Sequence, residues 1–150
     1  MEPLDDGYER VFTVTEYYDG PRAGIAMFRD RPHLYHCERH AGADTYTDTF
    51  MVSPVPPDVF VLALEAWEIW LRWEAAFHSG RVAQETHPAL PTDRARHQHL
   101  TQELSSNLVV DPETALRARG DFKPIAPALS EERRRGMVAL QVRWSPVHAG

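Results

Sequence analysis

The sequence predicts an α+β fold, in which a curved antiparallel sheet that can close into a small barrel carries two helices packed on one face. Three observations predict it: segments rich in β-branched and aromatic residues fill the first third of the chain, a long helical pattern follows, and an alternating strand pattern comes near the end. A chain of 150 residues suits one hydrophobic core. We therefore expect a single globular domain over 1–150, with flexible ends at about 1–8 and 146–150.

The first third of the chain predicts an antiparallel meander of four strands. The segment 11–18 is dominated by β-branched and aromatic residues and stops at the letters DGPR (19–22), where glycine and proline favour a turn. The later segment 45–52 alternates threonine with larger side chains, which is typical of a strand with one face in water. Prolines at 56 and 57 end the sheet, because they cannot donate ladder hydrogen bonds. The predicted strands are 11–18, 24–28, 33–37 and 45–52.

Two helices are predicted in the middle of the chain. A periodic run from Asp58 to about His78 predicts a long amphipathic helix, which Gly80 can close in the left-handed conformation. Thr92 is a suitable N-cap for a second helix that reaches about Asn107. The pattern therefore predicts a helical pair after the meander.

The last part of the chain predicts one more strand. The segment 111–125 fits either one helical turn or an extended segment, and both alternatives stay open. The segment 136–144 alternates regularly and predicts a strand. Its apolar face carries Val138, Leu140, Val142 and Trp144, and its polar face carries Gln141 and Arg143.

Charge and composition narrow the classes of function. The formal net charge is −6, and residues 1–75 hold fourteen of the 22 acidic side chains but only six of the 16 basic ones. An acidic chain repels phosphate backbones, so nucleic-acid binding is disfavoured despite the run Arg133-Arg134-Arg135, and a basic protein partner is favoured. No apolar run approaches the roughly 20 residues of a bilayer span. The single cysteine, Cys37, agrees with a reducing compartment, so we expect a cytoplasmic protein without membrane association.

One carboxylate, Glu74, falls on the apolar side of the first predicted helix. On a helical wheel Glu65, Glu68 and Arg72 form the solvent stripe. Glu74 lies instead in the middle of the opposite face, which predicts a special environment for it. That face collects Phe60, Ala63, Leu64, Trp67, Trp70, Leu71 and Phe77.

A carboxylate on an apolar face must be paired, protonated or open to a cleft. A pair would use one of four nearby bases predicted from the sequence: Arg22, His33, His87 or Arg94. A cleft would make Glu74 the best candidate for a general acid or base, with Arg22 and His33 holding an anionic group. Trp73, off the centre of the apolar face, would mark a binding patch if exposed. The predicted ligand-binding residues are Arg22, His33, Tyr35, Trp70 and Glu74.

The sequence predicts no metal site and no cofactor. His33, His36, Cys37 and His40 are close along the chain, but His33 and His36 point to opposite sides of an extended strand. No nucleophile elbow and no phosphate-binding glycine loop occurs. The cysteine is expected to act as a small buried apolar residue.

Four stretches resemble a family of small uncharacterised bacterial proteins. They read DGPRAGIAMF (19–28), PHLY (32–35), WEIWLRWEAAF (67–77) and HPALP (87–91). The likeness spans most of residues 8–125. The family has no established activity, so the resemblance implies a single-domain bacterial protein and assigns no site residue.

Two functions follow as hypotheses. The first is a non-catalytic protein-binding module, such as an inhibitor, an immunity-type protein or an adaptor, whose acidic half attracts a basic partner. The second is a small enzyme or ligand-binding protein with a cleft around Glu74, Arg22 and His33. Whether the protein is an enzyme, and its oligomeric state, stay open at this level.

Overall fold

The computed structural model describes residues 4–39, 46–125 and 139–147, which form two compact units. The barrel unit runs to Val55 and resumes at Val110, and it includes 139–147. The helical unit is Pro56–Val109. The predicted α+β class with a small barrel is confirmed, whereas the packing of the helices on one face of the sheet stays a prediction.

In the described residues, antiparallel strands close into a barrel that follows chain order. The four strands of the predicted meander are present with slightly longer bounds, and the open segment 111–125 contains a further strand. The last strand begins at Leu140, and 136–138, like the arginine run 133–135, lie outside the described residues. The strands are β1 (Glu9–Tyr17), β2 (Pro21–Phe28), β3 (Arg31–Arg39), β4 (Tyr46–Pro54), β5 (Leu116–Pro124) and β6 (Leu140–Pro146).

Tight turns and a short seam complete the barrel. Consecutive Arg29 and Asp30 have φ of 52° and 64°, as a two-residue turn that matches strand twist requires. The seam pairs β1 with β6 at Glu9↔Val142 and Arg10↔Gln141. The chain leaves the barrel after β4, forms the helical unit, and re-enters the barrel at β5, which pairs with β4.

Aromatic side chains fill the barrel interior. Tyr35 and Phe50 are buried, and their ring centroids are 5.8 Å apart at a steep angle. Gly120 leaves space for the neighbouring aromatic rings, because a Cβ at this position would lie 2.8 Å from the Trp144 ring. The interior cluster is Ala26, Phe28, Tyr35, Cys37, Phe50, Val52, Ala118 and Val142, with Val11, Phe122 and Trp144 packed against it.

The last strand departs from its predicted pattern at Gln141. The alternation predicted this residue on a face in water, but its side chain is completely buried. The Asp5 N–H donates to Gln141 Oε1 at 2.8 Å, and Gln141 Nε2 donates to the Pro124 carbonyl at 3.3 Å. The amide can be buried because its hydrogen bonds with Asp5, which precedes β1, and with Pro124 replace those that it would make with water.

The helical unit contains two helices, α1 (Pro57–His78) and α2 (Arg94–Asn107), with one 3₁₀ turn (Gln84–Thr86) between them. Leu100 of α2 packs with Ile69 of α1 in a small buried cluster. Both helices lie close to their predicted positions. Neither has the length and apolar character that a bilayer span needs.

The buried stripe of α1 differs from the predicted one. Trp73 would mark a binding patch only if exposed, and it is 6% exposed. Its Nε1–H donates to Thr86 Oγ1 at 2.7 Å and its ring stacks on Phe77. It is buried because α1 is apolar over more than one stripe, and the 3₁₀ turn covers the stripe that includes Trp73. The buried residues of α1 are Val59, Ala63, Ile69, Trp73 and Ala76.

Candidate functional site

The turn between β1 and β2 presents two tyrosine side chains to solvent. Tyr17 is 65% exposed and Tyr18 is 66% exposed. Tyrosine is enriched at protein interfaces, so two exposed tyrosines next to each other in the sequence make this turn a candidate interface. We call residues 16–22 the β1–β2 tip.

Hydrogen bonds from one arginine stabilise the β1–β2 tip. Arg22 Nε donates to the Tyr18 carbonyl at 2.7 Å, and Arg22 Nη2 donates to the Asp19 carbonyl at 2.9 Å. Inside this clamp the Tyr18 N–H donates to the Gly20 carbonyl at 2.9 Å, and Asp19 and Gly20 both have positive φ. The turn is therefore held in one conformation by hydrogen bonds at its base and at its crown.

The β1–β2 tip is also acidic. Glu16 and Asp19 are exposed on either side of the two tyrosines. Within the described residues neither carboxylate forms an ion pair. An exposed aromatic surface flanked by two carboxylates favours a positively charged ligand.

Arg22 also reaches a buried thiol. Its Nη1 lies 3.7 Å from Cys37 Sγ, and the thiol donates to the Thr47 carbonyl at 3.0 Å. Burial raises the pKa of the Cys37 thiol, and the adjacent Arg22 offsets part of that rise. Cys37 is thus buried in the barrel interior, as expected for a small apolar residue, and it contacts the arginine that stabilises the turn.

The predicted ligand residues of the barrel unit do not converge. In the β2–β3 register His33 faces Ala26 and His36 faces Ala23, so His33 lies about four residues, or about 13 Å, from the level of Arg22. The buried His33 ring packs edge-on against Phe28, with Nδ1 2.9 Å from the Arg31 carbonyl. Burial lowers the pKa of His33.

Tyr35, the third predicted ligand residue of this unit, is sealed inside the barrel. It is 0% exposed, and its hydroxyl donates to the Thr13 carbonyl at 2.9 Å. Burial raises the pKa of this phenol far above its usual value. Tyr35 is thus placed to hold β1 against β3.

The remaining predicted site residues, Trp70 and Glu74, lie on α1 in the helical unit. Trp70 stacks on Trp67 with ring centroids 5.0 Å apart. Glu74 Oε1 lies 3.5 Å from His78 Nε2, one turn along the same helix, and the described part of the helical unit shows no ion pair of Glu74 with His87 or Arg94. Glu74 Oε2 is buried and has no hydrogen-bond partner among the described residues. Burial raises the pKa of Glu74, and His78 offsets part of that rise.

A cavity of about 250 Å³ opens beside this pair. Its lining includes His78, Ser79 and Arg81 at the C-terminal end of α1. Arg81 Nε donates to Ser79 Oγ at 2.9 Å, so the guanidinium is held at the rim. The helical unit therefore has a small recess lined in part by His78, the base that contacts Glu74.

Sequence reasoning missed two features. The exposed tyrosines went unnoticed, although two aromatic residues directly before a turn cluster are a readable signal. Glu9 was also missed: its Oε2 is buried without a partner, and burial, with the nearby Asp30, raises its pKa. Glu9 is in phase with Val11 on β1, and this two-residue spacing was the signal that it faces inward.

Comparisons with protein-family models, curated proteins and solved structures find no match for the chain. The resemblance to a bacterial family therefore stays a prediction. Among residues 4–39, 46–125 and 139–147, no group of three or more histidine, cysteine or acidic side chains is arranged to hold a metal ion. His33 is buried and His36 is exposed on β3, and His40 lies outside the described residues.

Proposed function

We propose that this protein is a non-catalytic protein-binding module that docks through the β1–β2 tip. The observation that carries the proposal is the pair of exposed tyrosines, Tyr17 and Tyr18, on a turn that Arg22 holds rigid. Rigid aromatic residues bind with little loss of conformational freedom, which is why they dominate many binding surfaces.

The packed interior of the barrel supports a role as a scaffold for the binding turn. A ligand-carrying barrel needs a cavity, but here the rings of Phe28, Tyr35, Phe50, Phe122 and Trp144 pack together on the interior. A filled barrel holds its turns at fixed positions, and a fixed turn is what a docking surface requires.

The acidic balance of the chain supports a basic partner. The net charge of −6 and the exposed Glu16 and Asp19 attract a positively charged surface at long range and speed up encounter. A cytoplasmic location, expected from the lone Cys37, belongs to the same proposal. Inhibitor, immunity-type and adaptor roles all fit this description.

Site-specific photo-crosslinking in the source cells tests the proposal. A benzophenone amino acid placed at Tyr18 should give one discrete adduct with a partner protein. The same amino acid at Val61, which is 63% exposed in the helical unit, is the matched control and should not give that adduct. The adducted partner is then purified, and its affinity should fall at least tenfold with Tyr17→Ala/Tyr18→Ala.

Either of two results would overturn the proposal. One is the same set of adducts from positions 18 and 61, which would mean that the tip has no preference for a partner. The other is a purified partner that binds the double variant as tightly as the original chain, provided the variant keeps its melting temperature.

A second candidate function is a small enzyme or ligand-binding protein that uses Glu74. The observation in its favour is the buried Oε2 of Glu74, which has no hydrogen-bond partner among the described residues, together with a recess lined by the neighbouring His78. Native mass spectrometry of the protein from its own cells should then show a bound small molecule. Glu74→Gln should remove that mass and Glu85→Gln, an exposed control, should keep it.

A further inference from the structure

We infer that the β1–β2 tip binds a cationic side chain, preferentially an arginine, presented by an exposed basic segment of the partner protein. This inference rests on the proposed function and specifies the chemistry of the same surface. Three observations carry it: the exposed ring of Tyr17, the flanking carboxylates, and another tyrosine of this chain that already binds cations.

The internal example is Tyr8. The Lys123 ammonium lies 4.3 Å from the centroid of the Tyr8 ring, and the Arg143 guanidinium lies 5.3 Å from it. The Tyr8 hydroxyl donates to Asp121 at 2.9 Å, and Asp121 also pairs with Arg143. A tyrosine ring flanked by a carboxylate is therefore a cation site in this protein.

The β1–β2 tip repeats these components without a bound cation at its carboxylates. Tyr17 supplies an exposed ring, and Glu16 and Asp19 supply the carboxylates. The guanidinium of Arg22 is committed to the Tyr18 and Asp19 carbonyls at the base of the turn. The tip therefore offers a cation an exposed aromatic ring and two carboxylates within residues 16–19.

The shape and hydration of the two cations favour arginine over lysine. A guanidinium is planar and weakly hydrated, so it can lie on an exposed ring and still donate to a carboxylate beside it. An ammonium retains its water more strongly and acts as a point charge. Because hydrogen bonds fix the turn before binding, little ordering of the tip opposes the contact.

An NMR titration with defined peptides tests the inference. The probe is the peptide acetyl-Gly-Arg-Gly-Arg-Gly-amide, and its control carries citrulline, a neutral isostere, in place of arginine. The arginine peptide should shift amide signals of residues 15–22, and the citrulline peptide should bind about fivefold more weakly, as expected for loss of one exposed cation–π contact.

Variants assign the contact. Tyr17→Leu should weaken binding of the arginine peptide about fivefold, whereas Tyr17→Phe, which keeps the ring face, should retain it. Glu16→Gln/Asp19→Asn should weaken binding and reduce its dependence on salt. The exposed pair Glu85→Gln/Glu113→Gln is the matched control, with the same change in net charge.

Equal binding of the two peptides, shifts that map away from residues 15–22, or equal effects of the two double variants would each overturn the inference. These outcomes leave the crosslinking test untouched. A specific adduct at position 18 together with no preference for arginine refutes only the cationic ligand, whereas absence of a specific adduct refutes the docking proposal itself.

Discussion

Replacing Tyr35 by phenylalanine tests how the barrel is held together. The hydroxyl of this buried residue donates to the Thr13 carbonyl at 2.9 Å. The register of β1 is irregular here, and the Ile25 N–H donates to Thr13 Oγ1 at 2.9 Å. Tyr35 thus supplies a donor to a main-chain carbonyl at an irregular point of the β1–β2 ladder.

The expected cost follows from the carbonyl that loses its donor. Tyr35→Phe keeps the ring and nearly all of the volume, so cavity formation adds little. A buried acceptor without its donor costs about 1–3 kcal/mol. For a chain of this length, about 2 kcal/mol lowers the melting temperature by about 4–8 °C.

Alkaline pH gives a second, independent readout. Burial raises the folded-state pKa of Tyr35 above the value near 10 of an unfolded tyrosine. A group whose pKa is raised by folding stabilises the fold below its unfolded pKa, and this contribution is lost as pH rises. Above about pH 10 the stability of the original chain should therefore fall by about 1.4 kcal/mol per pH unit more than that of Tyr35→Phe.

Urea unfolding followed by circular dichroism at pH 7 and at pH 10–11 measures both effects. Tyr8→Phe is the matched control, because its hydroxyl bonds to Asp121 at the surface and its loss should change stability by less than about 0.5 kcal/mol. Equal effects of the two substitutions at pH 7 would refute the reasoning. An identical alkaline decline of Tyr35→Phe and the original chain would refute the assignment of the pH effect.

Four further predictions concern other positions. Gly24→Ala should unfold the barrel or destabilise it by more than about 3 kcal/mol, because a Cβ there would lie in sub-van-der-Waals contact with the Thr13 carbonyl. Gly80→Ala, where φ is +77° but space is open, should cost only about 1 kcal/mol in urea unfolding. Glu74→Gln should raise the melting temperature at pH 7 and lose that advantage near pH 4, since burial raises the folded-state pKa and the charged form destabilises the fold above it. A lower melting temperature for Glu74→Gln at pH 7 would indicate a stabilising pair with a base. Cys37 should react with a thiol reagent only as fast as the barrel opens, and rapid labelling of the native chain would contradict its burial.

Local pattern predicted those strands whose composition is itself strand-like. The meander β1–β4 and the existence of β6 followed from β-branched, aromatic and alternating residues. β5 was left open because Asp111-Pro112-Glu113 resembles a helix start, whereas Leu116, Ala118 and Gly120 also fit an extended segment. The reasons for this strand lie in tertiary contacts. The glycine admits the Trp144 ring, Arg117 pairs with Glu38 on β3, and Arg119 pairs with Asp48 on β4.

The misplaced residues share one physical cause. Gln141 is buried because Asp5, 136 positions away, bonds to it, and no local periodicity contains that partner. Trp73 is buried because the turn at Thr86 covers one of several apolar stripes on α1. A helical wheel predicts that a helix has an apolar side. When apolar residues extend around the helix, the element that packs against it determines which stripe is buried. The same limit explains why His78, one turn along α1, was not among the bases predicted beside Glu74.

The adjacency of β4 and β5 bears on how the chain folds. Val52 pairs with Leu116, so a connection of roughly 60 residues must close before these strands can meet, at an entropic cost about 2–3 kcal/mol above that of a tight turn. The strands β1–β4 are joined by short connections, so they can pair one after another without closing a long loop. We therefore expect the meander to be structured in the transition state for folding, and β5 to join after it. A helical unit that forms early shortens the effective loop, so the folding rate of the barrel depends on residues that lie outside it.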